Sequence, residues 1–293
     1  MKVSIVIRTY NESRHLSELL EGIQKQQTPG MDAEVIVVDS GSTDPTLEIA
    51  RQFNCRIEHI SKAEFSFGRS LNRGCRAATG EALVFVSGHC VPASEYWLAQ
   101  LVAPLQQGEV VWTYGRQLGN GLSRFSEHRV FEKYFPSQSQ IPQEGFFCNN
   151  ANSALLAEVW RAHPFDEELT GLEDMHLARK LVGLGMRIGY VAEAPVYHIH
   201  TERWSQVKNR FEREAIALQH IMPEVHVGFT DFLRYLTSAV LLDAEVALRE
   251  RLLFKQAPDI LAYRLAQYWG VYRGNHFHRQ LSKARKERYF YPR

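Results

Sequence analysis

Apolar and polar positions alternate in blocks over the first ninety residues. Val3 to Arg8 (VSIVIR), Glu34 to Val38 (EVIVV) and Ala82 to Val86 (ALVFV) are compact apolar runs that predict strands buried on both faces. Cys55 to Ile60 predicts a shorter, mixed strand. Leu16, Leu19, Leu20 and Ile23 recur at helical spacing after the first run. Pro45 behind Thr43 and Asp44 suits the first turn of a second helix. Phe65 to Gly80 reads as a loop feeding a third helix that stops at Gly80. Strand, helix and strand in this order imply right-handed crossovers and a parallel sheet, hence an α/β layered domain. Pro92 bars the Ala82 run from continuing as a central strand.

Beyond Pro92 the spacing predicts a helix over Ala93 to Gln107 and a strand over Glu109 to Tyr114, followed by an amphipathic segment from Ser123 to Tyr134. Phe135 to Gly145 is a connection of the length often used as a lid. A helix is expected through Trp160 after FFCNNANS, and another over Glu173 to Gly185. Two closing strands are expected, Arg187 to Val191 and Pro195 to His200. After His200 the period is helical only, over Trp204 to Ile221, Phe229 to Phe254 and Ile260 to Tyr268. The expected organisation is an α/β domain over residues 1–205 and a helical extension over 206–293.

Composition narrows the class without naming it. The 293 residues are 45% hydrophobic and 23% charged, as in an ordinary globular protein, and the net charge of +1 argues against a nucleic-acid binder working through bulk charge. Four scattered cysteines without a CxxC pair signal neither a zinc site nor a disulfide framework, which fits a reducing cytosol. No tripartite export signal opens the sequence, and Phe229 to Leu248 is too interrupted by Asp231, Arg234, Asp243 and Glu245 to span a membrane. The C-terminus is locally basic: from Arg273 to Arg293 seven Lys or Arg stand against the single acid Glu287. Such a tail suits an anionic lipid surface, or a solvated helix face. The helices before it offer a dimer surface or pack onto the parent domain.

The polar chemistry collects at strand ends, where open parallel sheets bind ligands. Thr9, Asn11 and Glu12 follow the first strand, and Asp39 and Asp44 the second, a set suited to a nucleoside. Glu173 and Asp174 begin a helix, where the macrodipole alone favours acids. His198 and His200 close the last strand at alternate positions, a pairing compatible with a metal ligand but weak without a third. Ser87, Gly88, His89 and Cys90 form the polar elbow after the fourth strand. No GxGxxG follows the first strand, which disfavours a dinucleotide oxidoreductase. The segment from Thr9 to Arg14 lacks the Gly-rich basic loop of a nucleotidyltransferase.

RTYNES, VIVVDSGSTD, FGRSLNRG, the strand before SGHCVP, YGRQ, FFCNNANS, GLEDMHLARKL and VYHIH occur in an order that resembles the family-2 glycosyltransferases of the GT-A fold. The likeness is greatest to rhamnosyltransferase-like members that build bacterial surface polysaccharides, and it covers about residues 1–205. The resemblance implies a Rossmann-like, mostly parallel sheet flanked by helices. It implies an inverting transfer from a UDP-, dTDP- or GDP-linked sugar to a glycan or lipid-linked acceptor, in the cytoplasm or at the inner membrane. Thr9, Asn11, Glu12, Asp39, Ser40, Arg69, Ser87 and His89 would line the donor nucleotide, and Arg116, Asn149 and Asn150 the sugar or acceptor. Asp174 would be the general base, with Glu173 orienting the site.

One departure stands out against that pattern. The family's metal-binding D-x-D is replaced by Ser87-Gly88-His89, and Mg²⁺ prefers oxygen ligands whereas Mn²⁺ accepts imidazole. Two expectations stay open: a divalent cation held by His89 with His198 or His200, or no metal, with Arg69, Arg116 or the histidines meeting the leaving charge. A nucleotide-sugar-binding protein without catalysis is the alternative function.

Overall fold

The computed structural model describes residues 1–276 and Phe290; most of the basic stretch from Arg273 to Arg293 thus lies outside the described residues. The chain divides into two compact units, one of residues 1–120, 134–169 and 173–199, the other of residues 121–133, 170–172 and 200–293.

The first unit is built on an eight-stranded sheet. Its strands are β1 (Lys2–Thr9), β2 (Asp32–Asp39), β3 (Arg56–His59), β4 (Ala82–Ser87), β5 (Cys90–Pro92), β6 (Trp112–Leu118), β7 (Asn152–Leu156) and β8 (Ile188–His198), in the order β3-β2-β1-β4-β7-β6-β8-β5. The expected βα alternation forms the first half, with α1 (Leu16–Gln24), α2 (Thr46–Gln52) and α3 (Phe67–Ala77) between parallel strands. Val3, Ile5, Ile7, Val37, Val84 and Val86 are fully or almost fully buried, as runs covered on both faces require. Gly74 of α3 lets the helix lie on the sheet, because a Cβ there would sit 2.4 Å from Val6 Cγ1. Register brings the strand ends together: Thr9 pairs with Asp39, and Arg8 with Ser87.

Several boundaries differ from the periodicity, each for a local reason. α3 ends at Ala77 rather than at Gly80, and Gly80 instead lies against β1, its N–H donating to Ser4 Oγ at 2.8 Å. The chain over Asn152 to Leu156, expected to lead into a helix, is the central strand β7, antiparallel to both β4 and β6. Its Asn, Ser and Ala residues carry no β signature, but all of them are buried. Strand β6 starts at Trp112 and runs through Gly115, Arg116 and Gln117. The two expected closing strands are one, β8, whose pairing with β6 skips from Gly115↔Val191 to Gln117↔Val196, a bulge that carries Pro195 within a single strand. As Pro92 requires, β5 is an edge strand, antiparallel to β8. Helices α4 (Trp97–Gln106), α6 (Ala157–Ala162) and α7 (Glu173–Gly183) complete the unit. Gly185, with φ +81°, closes α7 as expected.

Asn152 ties the second half of the sheet together. Its Oδ1 accepts from Trp97 Nε1 at 2.8 Å, and its Nδ2 donates to the carbonyls of Arg116 (3.1 Å) and Ala194 (2.8 Å). The Trp97 and Ala194 contacts are out of water, so Asn152→Ala strands a buried indole N–H and a buried carbonyl. We expect a loss of about 2–4 kcal/mol, read by urea denaturation.

The second unit is helical: α5 (Phe125–Tyr134, whose last residue belongs to the first unit), α8 (Trp204–Ile221), α9 (Phe229–Arg249) and α10 (Leu253–His276). Arg264 of α10 forks onto both oxygens of Asp243 of α9, at 2.7 and 2.8 Å, and Ser126 Oγ donates to the same carboxylate. Gly270 and Gly274 let α10 approach the backbone of α8, where a Cβ would meet the Lys208 and Glu212 carbonyls at 2.4 and 2.5 Å.

Candidate active site

At the β1 and β2 ends the polar groups organise a loop. Asp39 is buried, and its carboxylate accepts from the N–H groups of Gly41 (2.9 Å) and Ser42 (3.1 Å), with Thr9 Oγ1 at 3.5 Å. Ser40 Oγ donates to the Thr9 carbonyl, and Asn11, in the left-handed region at φ 56°, accepts from Thr43 N–H at 2.8 Å. Asp44 accepts from the N–H groups of Thr46 and Ser13, so it supports the start of α2 and the loop after β1 together. Six expected positions, Thr9, Asn11, Glu12, Asp39, Ser40 and Ser87, thus fall on the adjacent ends of β1, β2 and β4.

Arg69 is differently employed. Its guanidinium is bonded to Glu167 (2.9 Å), Glu168 (3.2 Å) and the Glu64 carbonyl (2.6 Å), so its charge is compensated within the protein.

At the β5 edge two imidazoles face one another. Pairing of Cys90 with His198, with Ile199 N–H on the His89 carbonyl, sets His89 beside His198. Their Nε2 atoms are 3.1 Å apart and the rings stack at 5.0 Å. His89 Nδ1 bonds Glu12 Oε1 at 2.8 Å, and His198 Nδ1 bonds Gln117 Oε1 at 2.6 Å. The amide orientations follow from the backbone: Ala151 N–H donates to Asn149 Oδ1, which also accepts from Gln117 Nε2, turning Gln117 Oε1 toward His198. Each Nδ1 therefore carries the proton, and in neutral rings both Nε2 lone pairs point into one spot. A cation or a shared proton relieves that repulsion, and protonated Nδ1 held by a carboxylate or amide is the usual outer support of a metal-binding histidine. The donor set thus fits an ion that accepts imidazole. His200 lies past the end of β8, in the second unit, with Nδ1 on Glu127 Oε1 at 2.7 Å.

The third constellation surrounds the start of α7. Asp174 is buried; Oδ2 accepts from Asn150 N–H and Oδ1 from Met175 N–H, both at 2.8 Å. Burial first, and the neighbouring Glu173 second, push its carboxyl up to about 7, against the two N–H groups and Arg8. Glu173 is buried too, with Arg8 Nη1 3.5 Å from Oε1. That guanidinium rests over the Phe67 ring. Arg8 Nη1, Arg116 Nε and Asn150 Nδ2 are buried nitrogens with no hydrogen-bond partner, and Arg8 and Asn150 are neighbours of the two buried acids. The thiols of Cys75, Cys90 and Cys148 are all driven up by burial, so none is poised as a nucleophile.

The sequence pattern did not single out Gln117, Arg8 or Asn152. Gln117 lies inside the YGRQ segment and Arg8 at the end of β1, but nothing in residue type shows that one orients an imidazole and the other faces Glu173.

A mannosyltransferase from Pyrobaculum calidifontis, solved in complex with GDP-Man and Mn²⁺, has a similar structure, with a TM-score of 0.61 at 20% identity over 92% of this chain and 84% of that one. The mixed sheet flanked by helices is the GT-A fold, that of a class of glycosyltransferases. Residues 4–161, more than half of the chain, match the family described as glycosyl transferase family 2, and the chain belongs to it. It is 28% identical over 209 residues to the O-antigen chain rhamnosyltransferase WbaN of Salmonella anatum, covering 67% of this chain and 66% of the relative. It is equally similar, over 212 residues, to RfbN of Salmonella typhimurium, at 68% and 67% coverage. The matched region spans about two thirds of the length of these relatives.

Proposed function

We propose that the chain transfers one sugar from a nucleoside-diphosphate sugar to a hydroxyl of a glycan or lipid-linked acceptor, with inversion, in the synthesis of a bacterial surface polysaccharide. Its place of work is the cytoplasm, at the inner membrane surface. The observation that carries the reading is Asp174 in a family-2 chain: a buried carboxyl, held by two backbone N–H groups, at a helix start.

In this mechanism Asp174 takes the proton of the acceptor hydroxyl while the acceptor oxygen forms its bond to the anomeric carbon from the face opposite the nucleotide. The bond from that carbon to the diphosphate oxygen breaks, and the diphosphate keeps the electron pair. Glu173, paired with Arg8, orients the site and helps to raise the Asp174 carboxyl toward neutral pH. Thr9, Asn11, Asp39, Ser40 and Ser87 contribute the nucleotide end, and Arg116, Asn149 and Asn150 the sugar and acceptor end. A divalent cation, Mn²⁺ in preference to Mg²⁺, would be held by His89 and His198 of the first unit. When bound it supplies charge for the leaving diphosphate. Glu12 and Gln117 hold the imidazoles in the tautomer that ligation requires.

The pH dependence tests the base. Asp174 acts only when ionised, and its carboxyl is raised to about 7, so kcat/KM rises with pH on a limb of unit slope that flattens above about 7. A rate already flat from pH 5 upward would remove Asp174 from the role. Nucleotide preference is read separately, by thermal shift with UDP-, dTDP- and GDP-sugars in Mn²⁺, Mg²⁺ and EDTA.

A further inference from the structure

The second unit carries an apolar surface that its own packing leaves open. α10 turns Tyr263, Arg264, Gln267, Gly270 and Gly274 into the unit, while Phe254, Leu261, Leu265 and Trp269 stand exposed. These positions follow at steps of seven, four and four, one line along the helix roughly 22 Å long at about 1.5 Å per residue. α9 runs antiparallel beside it, with Phe232 against Trp269 and Tyr272, and Tyr235 against Tyr268. It adds exposed Leu233, Leu241 and Leu248. Leu265 and Trp269 also border an open groove of about 390 Å³, with Trp204 and Lys208 on its other wall. A continuous row of this kind is more than the scatter of single exposed apolar residues on ordinary surfaces.

Charge selects the occupant. The turn from α9 to α10 reads Arg249-Glu250-Arg251-Leu252-Leu253-Phe254-Lys255; Arg249 is ion-paired with Glu245 of its own helix, while Arg251 and Lys255 flank a phenylalanine that is 98% exposed. At the opposite end of the hairpin Arg234 and Arg273 are ion-paired with Asp231 and Glu212, while the sequence beyond it reads Arg279, Lys283, Arg285, Lys286, Arg288 and Arg293 against Glu287 alone. A second copy of the chain, paired by a two-fold axis with the hairpins in the same direction, would set one cationic turn over another. An anionic lipid surface satisfies the apolar row and the cations of the turn together. None of the described helices is long and apolar enough to cross a membrane, so the geometry is that of a helix pair lying on the interface.

We propose that the α9–α10 hairpin is the face by which the protein lies on an anionic bilayer. Phe254, Leu261, Leu265 and Trp269 enter the acyl boundary, and Arg251 and Lys255 reach the headgroup phosphates. The proposal rests on the transfer reading only for the presence of a membrane at the place of work.

The test is co-sedimentation of the full chain with vesicles of phosphatidylglycerol and phosphatidylethanolamine, and with vesicles of phosphatidylcholine alone, without nucleotide sugar. The anionic vesicles are expected to bind, and binding should weaken at least about tenfold in 0.5 M salt and in F254S/L261S, with an unchanged melting temperature. R251Q/K255Q, which alters no buried contact, is expected to weaken binding as well. Absence of vesicle binding, binding indifferent to both variants, or a dimer in light scattering that F254S/L261S dissociates, would each overturn the proposal. A failed sugar-transfer assay would leave these readings unaffected, so the two proposals fail separately.

Discussion

Asp174→Asn is expected to lower sugar transfer by about 10²–10⁴-fold, the range that a positioned general base contributes, while nucleotide-sugar affinity stays within about twofold. The amide keeps the carboxyl's shape but can accept from only one of the Met175 and Asn150 N–H groups, since its Nδ2 donates, and it cannot take an acceptor proton. A second readout separates this from damage to the fold. The folded protein holds the Asp174 proton up to about pH 7, whereas an unfolded aspartate releases it near pH 4. The folded pKa is raised, so the associated stability is present below pH 4 and lost as pH rises to 7. Relative to the wild type, the asparagine variant should therefore gain stability at pH 8 compared with pH 5, by thermal melts at both. A variant that loses transfer and donor binding together, or that is equally destabilised at both pH values, speaks for a structural role.

The second large effect is expected at the imidazole pair. His198→Ala removes one of the two Nε2 atoms that converge at 3.1 Å, and should lower transfer by about 10²-fold or more and abolish any stimulation by Mn²⁺. Gln117→Ala leaves both imidazoles in place and removes only the acceptor that fixes the His198 tautomer. It should weaken Mn²⁺ affinity by about 10–100-fold, measured by titrating the metal itself against the protein. Mn²⁺ affinity and transfer indifferent to both substitutions would leave the imidazoles a structural pair and assign the leaving charge to other cations.

The first half of the fold was open to reading because its strands are buried on both faces and write continuous apolar runs: VSIVIR, EVIVV and ALVFV all became parallel strands. The second half was not, for a physical reason visible at Asn152. A central strand normally announces itself with Val, Ile and aromatic residues, yet β7 satisfies its burial with Asn152 and Ser153, whose side chains bond Trp97, two backbone carbonyls and Asn150. Likewise β8 hides its continuity behind Pro195, because a bulge absorbs the break.

The site divides in the same way. Strand-end or helix-start position is what marks Thr9, Asp39, Ser87 and Asp174 as candidates, since polarity at the end of an apolar run or the start of a helix is itself the signal. Contacts across long sequence separations carried no such signal. Glu12 reaches His89 over 77 residues and Gln117 reaches His198 over 81, so the support of the imidazoles emerges only once β5 and β8 are paired. Arg69 shows the converse: a cation in a suggestive motif is spent on Glu167 and Glu168, nearly a hundred residues away.

The most direct test is sugar transfer followed by proton NMR, with a panel of nucleotide sugars, extracted glycan acceptor and Mn²⁺. The account predicts a glycosidic product of anomeric configuration opposite to the donor's, one nucleoside diphosphate released per sugar transferred, and neither in Asp174→Asn. A product that retains the donor's configuration, or well-folded wild-type protein that turns over no donor in the panel, would contradict it.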